Sequence, residues 1–101
     1  MELTVPRYVM LLKYTDKGIA NVKDSPKRAD AFRNLAAKAG AKVETQLWTT
    51  GEYDGLVVVT IPDDTAMAAL ALGLSKMDFV RSTTLRAFDE AEFQGVLAAV
   101  G

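Results

Sequence analysis

Trp48, Tyr53 and Asp54 stand close together in the chain and offer a ring wall, a phenol and a carboxylate. Such a set could bind and polarise a small ring or an enol. The plainer reading is that Asp54 bonds turn backbone, Tyr53 packs across a hairpin and Trp48 joins a subunit interface. Tyr14, Thr15 and Asp16 form a second group, leaving a strand where small-ligand sites often gather, and they also make an ordinary turn. Arg81 and Arg86 place guanidinium groups within a strand, where one could hold a substrate carboxylate through paired hydrogen bonds. Edge protection and intersubunit ion pairs explain them more simply. Asp63-Asp64 and Asp89-Glu90 could in principle hold magnesium or calcium, but acidic residues are expected at helix starts from the dipole alone, so no metal is expected.

The composition narrows the chemistry further. The chain has no His and no Cys, which removes imidazole base catalysis, thiolate chemistry and the usual ligands of zinc, copper and haem. No Ser or Thr has a His to activate it, no glycine loop resembles a phosphate cradle, and no cofactor is expected. Twelve Lys and Arg against thirteen Asp and Glu leave a net charge of -1, so there is no field to draw nucleic acid or an anionic membrane. Glu2 and Arg7 flank an apolar run of only Tyr8 to Leu12, too short for a signal peptide. Ala66–Leu74 is apolar but about half the length of a membrane span. The expectation is a cytoplasmic protein of one domain over residues 1–101, half of it apolar and able to build its own core.

The groups above must be positioned by the elements around them. Arg7 to Lys13 is a nearly continuous apolar run, as in a strand buried on both faces. A polar connector with room for one helical turn follows. Ser25-Pro26 then predicts a helix capped by Ser25, over about Pro26 to Ala39, with Gly40 as its left-handed C-cap. From Ala41 the period becomes two, as in an edge strand. Gly51-Glu52 fits a two-residue turn, in whose register residues with numbers summing to 103 face one another, so that Trp48 lies over Gly55. Leu56 to Ile61 reads as a second buried strand, ended by Pro62. Asp63 or Asp64 caps a helix presenting Met67, Leu70 and Leu74, with Ala66, Ala69 and Gly73 permitting close packing on the sheet. Phe79 to Phe88 is a more polar edge strand, and Asp89 with Glu92 has capping-box spacing before a C-terminal helix.

This order predicts an α+β, ferredoxin-like βαββαβ fold with a four-stranded antiparallel sheet in the order 4-1-3-2, two helices on one face and an extra C-terminal helix. The hairpin register separates Val43, Thr45, Leu47, Leu56 and Val58 from Glu44, Gln46, Trp48, Val57, Val59 and Ile61. Both sets hold large apolar residues, and the second is expected to lie in water in a monomer. Covering about 800 Å² per subunit at about 25 cal/mol/Å² would gain about 20 kcal/mol gross, comparable with association costs. A two-fold homodimer, or a higher even oligomer, is the simplest cover. The same topology serves RNA-recognition modules, but Leu56-Val57-Val58-Val59-Thr60 carries no stacking aromatic, so RNA is not an expected partner.

Arg7 to Gly18, Asn21 to Pro26, Trp48 to Asp54 and Thr84 to Asp89 together resemble the bacterial GYD-domain family, whose Gly-x-Tyr-Asp signature is here Gly51-Glu52-Tyr53-Asp54. The resemblance covers nearly the whole chain and implies a dimeric α/β barrel. Gly55 is a departure, since members usually carry an apolar residue there. Three functions stay open. The first is a homo-oligomeric small-ligand-binding protein, whose ligand candidates are Tyr14, Asp16, Trp48, Tyr53, Asp54 and Arg81. The second, by analogy with oxygenases and isomerases of the implied fold, is a cofactor-independent enzyme acting on a small aromatic or enolic substrate. It requires a titratable group, from Tyr14, Asp16, Tyr53 or Asp54, in a closed pocket. The third is a purely structural assembly subunit, whose aromatics would be consumed at interfaces.

Overall fold

The apolar run beginning at Arg7 becomes one of the two central strands of an antiparallel sheet. The computed structural model describes residues 5–101, so Glu2 lies outside the described residues. In chain order the elements are β1 (Arg7–Tyr14), α1 (Asp16–Ala20), a 3-10 turn (Val22–Asp24), α2 (Ser25–Lys38), β2 (Lys42–Trp48), β3 (Gly55–Thr60), α3 (Asp64–Lys76), β4 (Val80–Ala87) and α4 (Glu90–Val100). The strands lie in the order β2-β3-β1-β4, all neighbours antiparallel. This is the predicted ferredoxin-like arrangement, with polar strands at both edges.

The local signals act largely as expected. Asp63 accepts from the backbone N–H of Ala66 at 2.8 Å and caps α3. Asp89 and Glu92 close a reciprocal capping box at the start of α4. Gly40 ends the α2 segment at φ +77°, a conformation costly for any residue with a β-carbon. Ser25 departs from expectation. It is the first residue of α2 with helical dihedrals, and its side chain caps nothing. The preceding 3-10 turn runs straight into the helix, and the Val22 carbonyl accepts the Ser25 backbone N–H, which leaves the Ser25 hydroxyl free for other partners.

The hairpin register also holds, but only in part. Trp48 pairs with Gly55, Leu47 with Leu56, Gln46 with Val57 and Thr45 with Val58, while Val43 pairs with Val59 after an irregularity at Glu44. The connection is longer than the two-residue turn expected, with Thr49 donating to the Asp54 carbonyl at 3.0 Å beyond the last strand pair. The bulge turns Glu44 toward Arg7, whose Nε lies 3.3 Å from its carboxylate, and returns Val43 to the core margin. The Arg7 guanidinium also pairs with Glu92 at 2.8 Å. Together these carboxylates, with the Glu44 hydrogen bond foremost, raise its pKa.

The helix-covered face is the reverse of the one expected. Val57, Val59 and Ile61, predicted to lie in water, are fully buried with Tyr8 and Met10 beneath Phe32, Ala36, Met67, Leu70 and Leu74. Leu47, Leu56 and Val58 face the other way, beside Val9, Leu11 and Leu85. Both faces of β3 are apolar, so its pattern cannot say which one the helices cover; the hand of the two crossover connections decides. The expected close approach of Gly73 to the sheet is instead made to α2, where a β-carbon would lie 3.4 Å from Leu35. No residue of α4 is buried; Phe93 and Leu97 remain about half exposed and Val100 more so. Among the described residues no helix is long and apolar enough to cross a membrane.

Candidate functional site

The core does not close completely at one end of the sheet. There the ends of β1 and β2 and the starts of β3 and β4 meet the first turns of α2 and the end of α3. A cleft opens between them, walled by Leu12, Phe32, Trp48, Leu74, Met77 and Phe79 and floored in part by Gly55. Its cavity volume is about 70 Å³, against roughly 10–15 Å³ needed by one water. The space suits several waters or a one-ring molecule. A shallower groove past Val22, Lys23 and Pro26 shares Tyr14, Ser25 and Trp48 with it and forms its approach. Trp48, 53% exposed, stands at this mouth.

Three polar side chains converge on the apolar walls. The hydroxyls of Tyr14 and Ser25 are 2.8 Å apart, and Arg28 donates through Nη2 to the Ser25 hydroxyl at 3.1 Å. Arg28 also donates through Nη1 to the Asn21 carbonyl at 2.8 Å. Its guanidinium carbon lies 4.3 Å from the centroid of the Phe79 ring, within cation–π range. Lys17 approaches the same ring at 4.5 Å. Two cations therefore lie against the Phe79 ring.

The backbone fixes Phe79 as firmly. Its carbonyl accepts the Thr15 backbone N–H at 3.1 Å, and the Thr15 hydroxyl donates to the Asp78 carbonyl at 2.6 Å. The same hydroxyl oxygen caps α1, accepting from Gly18 at 3.0 Å. A β-carbon on Gly18 would stand 2.0 Å from the Phe79 carbonyl oxygen, so only glycine lets α1 seat against this junction.

Of the residues singled out from the sequence, Tyr14, Trp48 and Asp54 line the cleft. Asp54 is engaged: its carboxylate accepts the Tyr14 backbone N–H at 2.8 Å, and its own N–H donates to the Leu12 carbonyl at 2.7 Å. Its carboxylate thus ties the hairpin to the end of central strand β1, where the sequence predicts bonds to the turn backbone. Tyr53 lies elsewhere, with the ammonium of Lys13 5.3 Å from its ring centroid and its carbonyl accepting from the Thr49 hydroxyl at 2.6 Å. Asp16 is exposed in the first turn of α1. Arg81 is spent on the α3–β4 connection, bonding the Asp78 carboxylate at 2.8 Å and the Ser75 carbonyl at 3.2 Å. Asp78 occupies φ +66° there, and the ion pair steadies that turn. The indole does not crowd Gly55; the nearest atoms to a β-carbon at Gly55 would be the Leu47 carbonyl at 3.3 Å and the Leu12 side chain.

Ser25, Arg28, Phe32, Met77 and Phe79 complete the cleft and were not among the sequence candidates. Arg28 carried a usable signal. It lies four residues before Phe32 and three after Ser25, on the helical stripe that Ser25, Ala29, Phe32 and Ala36 bury. A guanidinium on the inner face of an amphipathic helix is unusual unless it has a task. Among the described residues, no group of three or more His, Cys, Asp or Glu side chains is placed to hold a metal ion.

A protein-family profile described as GYD domain matches residues 8–97. No curated protein matched the chain, and no solved structure did.

Proposed function

The chain belongs to the GYD-domain family, and we propose that its cleft binds a small organic ligand and that two copies associate through their uncovered sheet faces. The observation that carries the ligand reading is an apolar cleft with a few convergent polar groups, Tyr14, Ser25 and Arg28, at the ends of sheet strands. Such a combination is what small-molecule sites share. The titratable groups in the cleft are already committed, Asp54 to backbone and Tyr14 to the Ser25 hydroxyl, which favours binding over turnover.

The uncovered face supports self-association. Leu47 and Leu85, each about half exposed, flank Val9, Leu11, Leu56 and Val58, and together they form an apolar surface of the kind that monomers seldom leave in water. Arg7 and Glu44 are paired at one rim, and Lys13 stands at the other end of β1 on the same side of the pleat. A two-fold partner needs no other chain.

Two measurements test the proposal. Amide NMR spectra are recorded with a one-ring fragment library; binders are expected to move the resonances of Tyr14, Ser25 and Trp48, and shifts confined to other regions would overturn the site. Native mass spectrometry is expected to give a dimer or a higher even oligomer, and a monomer at micromolar concentration would overturn the association.

A further inference from the structure

We infer that the cleft selects an anion, a carboxylate carried on an apolar body of about one ring, with Arg28 as its charge partner. This deepens the proposal that the cleft is a ligand site and rests on it. Arg28 makes no ion pair among the described residues, whereas Arg7 has three and Arg33 and Arg81 one each; Arg86 is the other arginine without one, and it is not among the residues that line the cleft. Its guanidinium has five N–H donors, two of which go to Asn21 and Ser25, leaving three unspent. Its contact with the Phe79 ring and its bonds to Asn21 and Ser25 hold the guanidinium in place, so little side-chain freedom remains to be lost on binding.

The adjoining hydroxyls point to the same ligand chemistry. Arginine can only donate, so the Ser25 oxygen accepts from it. If Tyr14 donates to Ser25, the Ser25 proton is left over; if Ser25 donates to Tyr14, the Tyr14 proton is left over. Either arrangement leaves one O–H beside three N–H groups and an unpaired positive charge. An acceptor-only anion satisfies these donors, and a carboxylate matches the guanidinium fork. Lys23 lies along the shared groove at the mouth, adding attraction on approach. Asp54 lines the same cleft, so the carboxylate sits at the Arg28 end and the apolar body lies toward Trp48, Phe32 and Leu74.

The single tryptophan of the chain is Trp48, so its fluorescence reports occupancy directly. Benzoate and its uncharged isostere benzamide are titrated into the whole protein, with ligand-observed NMR as a second readout. Benzoate is expected to bind at least tenfold more tightly than benzamide, and Arg28→Gln to abolish that preference. Arg28→Lys, which keeps the charge, is expected to retain part of it, and Arg86→Gln, at an arginine that does not line the cleft, all of it. Equal binding of the two probes to the unaltered protein would overturn the anion inference while leaving the ligand site standing, and needs no variant to fold. Retention of the full preference by Arg28→Gln would overturn the role of Arg28. Absence of binding by both probes, and by every neutral one-ring fragment, would overturn the site and the inference together.

Discussion

Trp48 and Gly55 face one another across the β2–β3 ladder, and both border the same cleft. The missing side chain of Gly55 is thus part of the cavity. A β-carbon there would lie 3.3 Å from the Leu47 carbonyl oxygen, closer than ordinary contact, and 3.6 Å from Leu12, so a side chain enters the cavity only if the ladder shifts by a few tenths of an ångström. Gly55→Val should lower the midpoint of thermal unfolding modestly, because crowding against the Leu47 carbonyl offsets the strand preference of Val, while its side chain occupies cavity space. Ligand affinity measured through Trp48 should fall at least tenfold. Unchanged affinity would place the ligand elsewhere.

Gly18 presents the more severe case, because its β-carbon would stand 2.0 Å from the Phe79 carbonyl oxygen, far inside contact distance. Gly18→Ala should destabilise by about 2–3 kcal/mol, the upper part of the range for overpacking. For a domain of this size that lowers Tm by roughly 8–24 °C. Calorimetry checks it. A loss below about 0.5 kcal/mol would mean that α1 is not anchored at Phe79.

The uncovered face gives a test of assembly that spares the monomer. Leu85 is 46% exposed and points away from the helices, so Leu85→Glu should change the stability of the isolated chain by no more than about 0.5 kcal/mol. A charge introduced into an apolar subunit contact leaves it buried and unpaired in both copies. Sedimentation velocity should show the dissociation constant rising at least tenfold. An unaltered oligomer would place the contact on another surface.

Tyr8 supplies a pH prediction. Its hydroxyl donates to Asp64, and this bond first, burial second, holds the phenol pKa above its ordinary value of about 10. A phenol with a raised folded pKa keeps its proton longer in the native state than in the unfolded one. The resulting stabilisation is complete below about pH 10 and is lost as pH rises through the folded pKa. Urea unfolding from pH 8 to 11 should give a steeper alkaline decline for the unaltered protein than for Tyr8→Phe. Parallel curves would show that the Tyr8–Asp64 bond adds nothing.

Much of this architecture was legible in the residue pattern. Caps at Asp63 and Asp89, the stop at Gly40, and the apolar runs of β1 and β3 are encoded within a few residues of where they act. Strand order followed from which runs were apolar on both sides. Trp48, Tyr14 and Asp54 were found because ring, phenol and carboxylate near strand ends are conspicuous by type. Arg28 is marked locally by its place beside the buried stripe of α2, but its stacking on Phe79, 51 positions away, is visible only once α2 and the start of β4 are side by side.

What the sequence determined by itself, then, is the local part: element identity, capping, pairing register to within the bulge at Glu44, and the exclusion of imidazole and thiol chemistry. Tertiary structure alone decided which face of the sheet the helices cover. Alternation along β3 is apolar on both sides, and only the handedness of two crossovers breaks that tie. It also decided that Ser25 would not cap α2, because a 3-10 turn supplied the needed acceptor and released the hydroxyl to Tyr14 and Arg28. The cleft itself belongs to this second class. A cavity is a place where six elements fail to meet, and no one of them carries that information in its own residues.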